Sequence, residues 1–291
     1  MPAVSIICIY LNAERFLAEA LDSVLAQDRT DWELLLVDDG STDGSAAIAA
    51  AYAAGDPRMR CLAHPGGGNR GMSAARNLGL AEASADWIAF IDADDRWHPH
   101  KLSAQLAIVG REPRIALLAG CVNYWASWQG GADMPTPTGH RHDVLIPPPD
   151  AALALYPLGP AGAPCPSDVL VRRATLHQLG NFENEFTNSF EDCAAFGKLF
   201  ATQPVWFSSQ VWLNYRIHPG SSVAGMIGGG QYPARRRFFL RWYLGWLRRN
   251  GVAEVARAVR RRLWLDRLRP ATYRHTAPGR LAWRLRQGLR R

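Results

Sequence analysis

The sequence predicts an α/β fold, a mostly parallel central sheet with flanking helices, and three observations carry that prediction. Short β-rich apolar runs alternate with amphipathic helical stretches from residue 4 onward, and two of the runs stop at acidic clusters. Of the 291 residues, 48% are hydrophobic, enough for a packed core and too apolar for a disordered chain.

Val4-Ser5-Ile6-Ile7-Cys8-Ile9-Tyr10 has the continuous apolar character of a strand buried on both faces. Phe16, Leu17, Ala20, Leu21, Val24 and Leu25 recur at three and four, which is the spacing of an amphipathic helix ending near Gln27. Trp32-Glu33-Leu34-Leu35-Leu36-Val37 is a second buried strand, and it stops at Asp38-Asp39-Gly40-Ser41-Thr42-Asp43, completing a βαβ unit. An alanine-rich helix over residues 45–54 and a weak strand over 59–63 follow. The glycine-rich segment 65–71 then reads as a mobile loop. Residues 73–83 form a helix, and Trp87-Ile88-Ala89-Phe90-Ile91 a strand ending in Asp92-Ala93-Asp94-Asp95. In open α/β sheets ligands bind outside the carboxyl ends of strands, so the two acidic clusters should face one site.

Beyond Arg111 the rhythm weakens, and the prolines and glycines of 130–166, including Pro147-Pro148-Pro149, predict an irregular connector. Order returns with Ser167-Asp168-Val169-Leu170-Val171, helices near 173–179 and 192–202, and a strand over 211–217 that leads into His218-Pro219-Gly220-Ser221-Ser222. The five cysteines are scattered and fit a reducing, cytoplasmic compartment. The first apolar run lacks a basic flank and is soon interrupted by polar residues, unlike a signal peptide. No apolar stretch reaches the length of a membrane span, so a soluble or peripheral protein is expected.

Charge is divided unevenly. Residues 231–291 hold 18 arginines against one glutamate and one aspartate, a net of +16, which leaves −9 on residues 1–230. Within the tail, Phe238, Trp242 and Trp246 recur every four residues beside Phe239, Tyr243 and Leu247, with arginines on the flanks: a basic amphipathic helix, repeated in character over 257–291. Such a helix can lie on an anionic membrane at the inner face of the cell membrane or pack on the domain. Nucleic acid is not an expected partner, since no recognisable nucleic-acid module accompanies the tail.

Asp92, Asp94 and Asp95 crowd like charge at one strand end, which calls for a cation. Oxygen ligands suit Mg²⁺ or Mn²⁺ bound through one or two carboxylates and substrate phosphates; a solvated acidic turn capping the next helix is the alternative. Asp38 and Asp39, ahead of a glycine and two hydroxyl residues, can accept hydrogen bonds from a base or ribose, or simply close an ordinary turn.

Asp38-Asp39-Gly40-Ser41-Thr42-Asp43, Ser73-Ala74-Ala75-Arg76-Asn77-Leu78-Gly79 and Ile91-Asp92-Ala93-Asp94-Asp95, in this order, resemble family 2 glycosyltransferases. Later echoes are Leu170-Val171-Arg172-Arg173, Gly180-Asn181-Phe182, Glu191-Asp192 and Tyr215-Arg216-Ile217-His218-Pro219-Gly220-Ser221, so the tail is not covered. The resemblance implies a GT-A fold with a nucleotide-sugar-binding half over 1–110, an acceptor-binding half over 111–228 and an additional arginine-rich tail over 229–291. It implies an inverting transferase that moves a sugar from a nucleoside-diphosphate sugar to a hydroxyl of a glycan or lipid-linked glycan, as in surface polysaccharide or glycolipid synthesis. By motif position, Asp39 would read the base and Asp94 the ribose, with Asp38, Arg76 and Asp92 in the nucleotide-sugar pocket. Asp95, Asp94 and His218 would hold Mn²⁺ or Mg²⁺ at the diphosphate, and Asp192 would be the base. Departures from the pattern are Cys8 in place of a proline, an extra Leu11, Asn181 in place of a glycine, and Cys193-Ala194-Ala195-Phe196-Gly197 after the Glu-Asp pair. The competing readings are a degenerate nucleotide-sugar-binding module and a nucleotidyltransferase. The latter should carry a glycine-rich basic loop after the first strand, and residues 10–16 have none.

Overall fold

Strands β1 (Val4–Tyr10), β2 (Trp32–Asp38), β3 (Met59–Ala63) and β4 (Trp87–Asp92) are joined by helices α1 (Leu17–Leu25), α2 (Ser45–Gly55) and α3 (Met72–Glu82). They form the parallel part of one sheet, in the order β3-β2-β1-β4. The structure is a computed structural model that describes residues 2–187 and 189–268, so the arginine-rich character expected over 269–291 lies outside the described residues.

After β4 come β5 (Arg96–Trp97), α4 (Lys101–Arg111), β6 (Leu117–Trp125), β7 (Met134–Thr136), β8 (Leu145–Ile146) and α5 (Asp150–Ala154). The chain continues through β9 (Leu170–Arg172), α6 (Arg173–Gln178), α7 (Glu191–Thr202), β10 (Val205–Arg216), α8 (Ser222–Gly228), α9 (Tyr232–Arg249) and α10 (Ala253–Leu268). The sheet extends as β4-β9-β6-β10-β5, with β9 antiparallel to both of its neighbours and β6 parallel to β10. The irregular connector expected over 130–166 does contain short elements, β7, β8 and α5, but they border the sheet and do not build its centre.

Alternation along β1 divides the core. Ile6 and Cys8 belong to the layer beneath α1 and α4, while Ile7 belongs to the layer beneath α3, α7 and α9. Close approach to α3 requires a glycine, because a Cβ at Gly79 would sit 2.6 Å from Ile7 Cγ2. The sheet passes β6 in the same way: a Cβ at Gly120 would meet the Gln210 carbonyl at 2.6 Å and the Trp212 ring at 2.7 Å. That glycine breaks the apolar run in the sequence, yet the strand needs it.

The apolar face of α9 is buried within the protein. Tyr232, Phe239, Leu240, Tyr243, Trp246 and Leu247 are buried, the Tyr243 hydroxyl donates to the Gly197 carbonyl of α7 at 2.7 Å, and Phe239 stacks on Phe190 with ring centroids 5.5 Å apart. Of the two readings of these aromatics, packing on the domain is therefore the one that holds for the buried set. The same spacing that suits a lipid interface suits helix packing, and here α7 supplies the partner surface. Of the expected stripe, Phe238 is exposed and Trp242 is half-buried against Phe186. Phe239→Ala is expected to lower the unfolding free energy by about 3–5 kcal/mol, as large-to-small core substitutions of this size do; an unchanged urea midpoint would contradict α9 as part of the core.

Candidate functional site

The acidic ends of β2 and β4 lie on the two strands that flank β1, so both clusters open at one edge of the sheet. Asp38 Oδ1 accepts from the Gly40 and Ser41 N–H groups at 3.1 and 2.8 Å and so closes the turn that follows its strand. Gly40 has φ +91°, and a Cβ there would lie 2.7 Å from the Asn69 nitrogen, so the turn needs glycine twice over. Asp39 is buried and accepts from the Arg70 N–H at 2.8 Å and the Gly71 N–H at 3.0 Å. His64 Nε2 lies 3.8 Å from Asp39 and, buried, makes no hydrogen bond. The loop read as mobile is thus fixed to Asp39 at its C-terminal end, while a side chain at Gly66, Gly67 or Gly68 would meet only open space.

At the end of β4, Asp92, Asp94 and Asp95 each have a different partner. Asp92 Oδ1 accepts from Arg76 at 2.8 Å, and its own N–H donates to Ser167 Oγ at 3.0 Å. Asp94 Oδ2 lies 2.8 Å from His218 Nε2. Asp95 is buried: Oδ1 accepts from the Arg216 N–H at 3.0 Å, while Oδ2 makes no hydrogen bond. Burial, then the charges of Asp94 and Asp92, push the Asp95 carboxyl well above the usual range, against smaller relief from the Ser167 hydroxyl and the Arg216 N–H.

Two arginines hold this acidic end in place. Arg76, on α3 and fully buried, reaches Asp92 with one guanidinium nitrogen and Glu191 Oε1 with another, at 2.8 and 2.9 Å. It ties β4 to the start of α7, where Glu191 and Asp192 occupy the first turn. Burial, then the Asp192 charge, pushes Glu191 up to about 7 although Arg76 opposes the shift. The Asp192 carboxyl is raised as well, by burial, against hydrogen bonds from Cys193 and the charge of Arg76. Asp192 borders a small, mostly apolar cavity of about 30 Å³ together with Tyr156, Pro164, Phe196 and Tyr243.

The second arginine, Arg216, donates from Nε to the Asp94 carbonyl at 2.7 Å and from a terminal nitrogen to Glu19 at 2.5 Å. Its guanidinium lies 4.3 Å from the Trp125 ring centroid, 4.7 Å from Phe16 and 4.8 Å from Trp128, a three-sided aromatic enclosure that favours the cation. Beneath the cluster, buried Lys101 donates to the Asp168 carbonyl at 3.0 Å, and the Gly120 N–H donates to Asp168 Oδ2 at 2.6 Å. That network fixes the turn bearing Ser167, whose carbonyl also accepts from Trp97 Nε1 at 2.7 Å. Burial lowers Lys101 to about 8 and raises Asp168 to about 6.

The structure therefore brings Asp92, Asp94, Asp95, Arg76 and His218 into one connected group, with Asp192 close enough for its charge to act on Asp92 and Arg76. Asp38 and Asp39 form a neighbouring group devoted to the two loops. Sequence reasoning missed the roles of Arg216, Glu191 and Ser167; the only signal was their presence in or beside the quoted runs. Among the described residues no three His, Cys, Asp or Glu side chains come together as a full metal-ligand set. An ion bound through one or two carboxylates and a ligand's phosphates needs no such set, and the unpartnered Asp95 Oδ2 beside Asp94 fits that mode. Removing Arg76 would strand buried Glu191 and half-buried Asp92 without their counter-charge. Arg76→Met is expected to lower stability by about 3–5 kcal/mol, with most of the loss recovered on adding Asp92→Asn and Glu191→Gln, as read from urea midpoints; no recovery would contradict the charge account.

Residues 5–143 match the family model described as Glycosyl transferase family 2. Among curated proteins, the chain is 40% identical over 109 residues to EpsE of Bacillus subtilis, named as a glycosyltransferase, covering 37% of this chain and 38% of that protein. It is 37% identical over 106 residues to the UDP-Glc:alpha-D-GlcNAc-diphosphoundecaprenol beta-1,3-glucosyltransferase WfgD of Escherichia coli, covering 36% of this chain and 40% of that one. The chain thus spans about two fifths of the length of these relatives. In fold it is similar to S. aureus TarS 1–349 in complex with UDP-GlcNAc, with a TM-score of 0.68 and 17% identity over 97% of this chain and 78% of that one. It is also similar to the mannosyltransferase PcManGT from Pyrobaculum calidifontis in complex with GDP-Man and Mn²⁺, with a TM-score of 0.57 and 16% identity over 99% of this chain and 85% of that one.

Proposed function

We propose, from the match of residues 5–143 to the glycosyl transferase family 2 model, that the chain is an inverting transferase moving a sugar from a nucleoside-diphosphate sugar to an acceptor hydroxyl. The observation that carries the reading is the Arg76 bridge, which sets the carboxylates at the end of β4 beside the Glu191-Asp192 turn of α7. A donor diphosphate belongs at the first and a general base at the second. The fold shared with the UDP-GlcNAc and GDP-Man complexes supports a nucleotide-sugar donor. WfgD, whose name specifies a diphosphoundecaprenol-linked acceptor, supports a lipid-linked glycan as the acceptor class. Among the described residues no helix is long and apolar enough to cross a membrane; the arginine-rich C-terminal helices support meeting such an acceptor at an anionic membrane surface.

Asp192 takes the proton of the acceptor hydroxyl as that oxygen attacks the anomeric carbon. The new glycosidic bond forms as the bond to the diphosphate oxygen breaks, with inversion, and the nucleoside diphosphate departs with the electron pair. Asp95 and Asp94 would hold Mn²⁺ or Mg²⁺, which when bound supplies positive charge to the departing diphosphate. His218, expected as a third metal ligand, has no such ligand trio around it among the described residues and instead positions Asp94 through the 2.8 Å contact. Asp39, by fixing Arg70 and Gly71, shapes the wall that the base would meet.

Release of nucleoside diphosphate from a panel of UDP-, GDP- and dTDP-sugars, with Mn²⁺ or Mg²⁺ and a lipid-linked glycan acceptor, tests the reading. Asp192→Asn is expected to cut kcat by at least about a hundredfold, the scale of general-base catalysis. Because Asp192 must be deprotonated and burial raises its pKa, kcat/KM should fall as pH drops through a value above the ordinary carboxylate range. Unchanged turnover in Asp192→Asn would refute this assignment; donor binding without turnover on any acceptor would favour a degenerate binding module.

A further inference from the structure

The outer face of the C-terminal hairpin carries a basic site that the transfer chemistry does not use. Residues 250–252 turn the chain from α9 into α10, and between the helices lies a groove of about 270 Å³ bordered by Arg248, Arg257 and Arg260 over a floor of Leu247 and Ala256. All three arginines are exposed, and among the described residues none lies within 4 Å of a carboxylate. The nearby acidic side chain of α10, Asp266, is already held beneath the helix by Arg236 and Arg262. Glu254 is the other acidic residue of α10, and residues 269–291 add seven arginines with no aspartate or glutamate. Uncompensated arginines around a concavity make a phosphate site, since the guanidinium fork matches phosphate oxygens.

A second observation identifies where the phosphate resides. Arg257, Arg260, Arg261, Trp264 and Arg267 are exposed and follow the three-and-four spacing of one helix face. Trp264 is 58% exposed, the most exposed large hydrophobic side chain among the described residues. A tryptophan amid arginines is what a helix presents to the headgroup layer of an anionic membrane: the indole enters the interface while the guanidinium groups meet lipid phosphates. A free phosphate would use the arginines and leave the indole exposed.

We propose that the groove of Arg248, Arg257 and Arg260, with Trp264 beside it, seats the phosphates of anionic lipid headgroups and makes the outer face of α10 the membrane-docking face of this protein. This rests on the reading that the acceptor is met at a membrane surface, and it moves the contact from the aromatic face of α9, which is packed on α7, to α10. Arg235, Arg237 and Arg241, exposed on α9, add long-range attraction without a groove of their own.

The test is co-sedimentation of the full chain at low ionic strength with phosphatidylcholine vesicles, with and without phosphatidylglycerol. Each basic residue at an anionic surface contributes about fivefold in partitioning, so R248Q/R257Q/R260Q should bind phosphatidylglycerol vesicles about a hundredfold more weakly. R111Q/R114Q/R141Q removes the same charge from exposed positions elsewhere and should lose far less. Trp264→Ser should weaken binding severalfold with its urea midpoint unchanged. Equal losses in the two triple variants would overturn the groove while leaving the membrane reading in place. Failure of the wild type to bind the vesicles would overturn both, as would preferential binding of single-stranded RNA. Donor turnover is measured separately, with the lipid-linked acceptor in detergent and no vesicles, so its absence in the wild type would count against the transferase reading alone.

Discussion

Five carboxylates, those of Asp92, Asp94, Asp95, Glu191 and Asp192, are drawn together where β4 and α7 meet, and two buried arginines make the arrangement tenable. Burial alone would disfavour the charges of Asp95 and Glu191 by several kcal/mol each, and their half-buried neighbours add like-charge repulsion. Arg76 answers part of that cost by pairing with Asp92 and Glu191, and Arg216 answers part by fixing the Asp94 carbonyl and Asp95 Oδ1. Neither removes it: Asp92, Asp95, Glu191 and Asp192 all stay above their usual range. A site in that condition gains from any further positive charge, which is the physical case for a divalent cation arriving with a diphosphate.

The same two arginines explain why elements far apart in sequence come to one place. Arg76 joins α3 to α7, so the strand that carries the acidic motif and the helix that carries the proposed base are aligned by one side chain. Arg216 is the last residue of β10 and is boxed by Phe16, Trp125 and Trp128, so the return of the chain beneath the acidic loop is fixed by cation–π contact as well as by hydrogen bonds. His218, two residues later, reaches Asp94. The basic hairpin lies beyond this machinery and is joined to it by the packing of α9 on α7, while Arg257, Arg260, Arg261 and Arg267 of α10 are exposed.

Much of this was legible in the sequence, unevenly. β1 to β4 and α1 to α3 could be placed because their apolar periods are clean and polar turns separate them, and both acidic clusters could be assigned to one edge from the strand order such units adopt. β6 could not, because Gly120 interrupts it, and only the Gln210 carbonyl and the Trp212 ring explain why glycine stands there. Asp38 was readable as a turn former or a ligand-binding group, and its hydrogen bonds to Gly40 and Ser41 show the turn. The α9 aromatics were ambiguous for a different reason: a period of three and four reports an apolar face, not what covers it. Arg76 and Arg216 were visible as residues, but no local pattern reveals partners 115 or 121 positions away.

The central claim is that the acidic end of β4 receives a nucleoside diphosphate together with a divalent ion, apart from the base on α7. Titration calorimetry of UDP and GDP into the full chain, with and without Mn²⁺, addresses it directly. The account predicts binding of at least one diphosphate that requires the ion, is lost in Asp95→Asn and persists in Asp192→Asn. Binding that ignores the ion, or that survives Asp95→Asn unchanged, would contradict it.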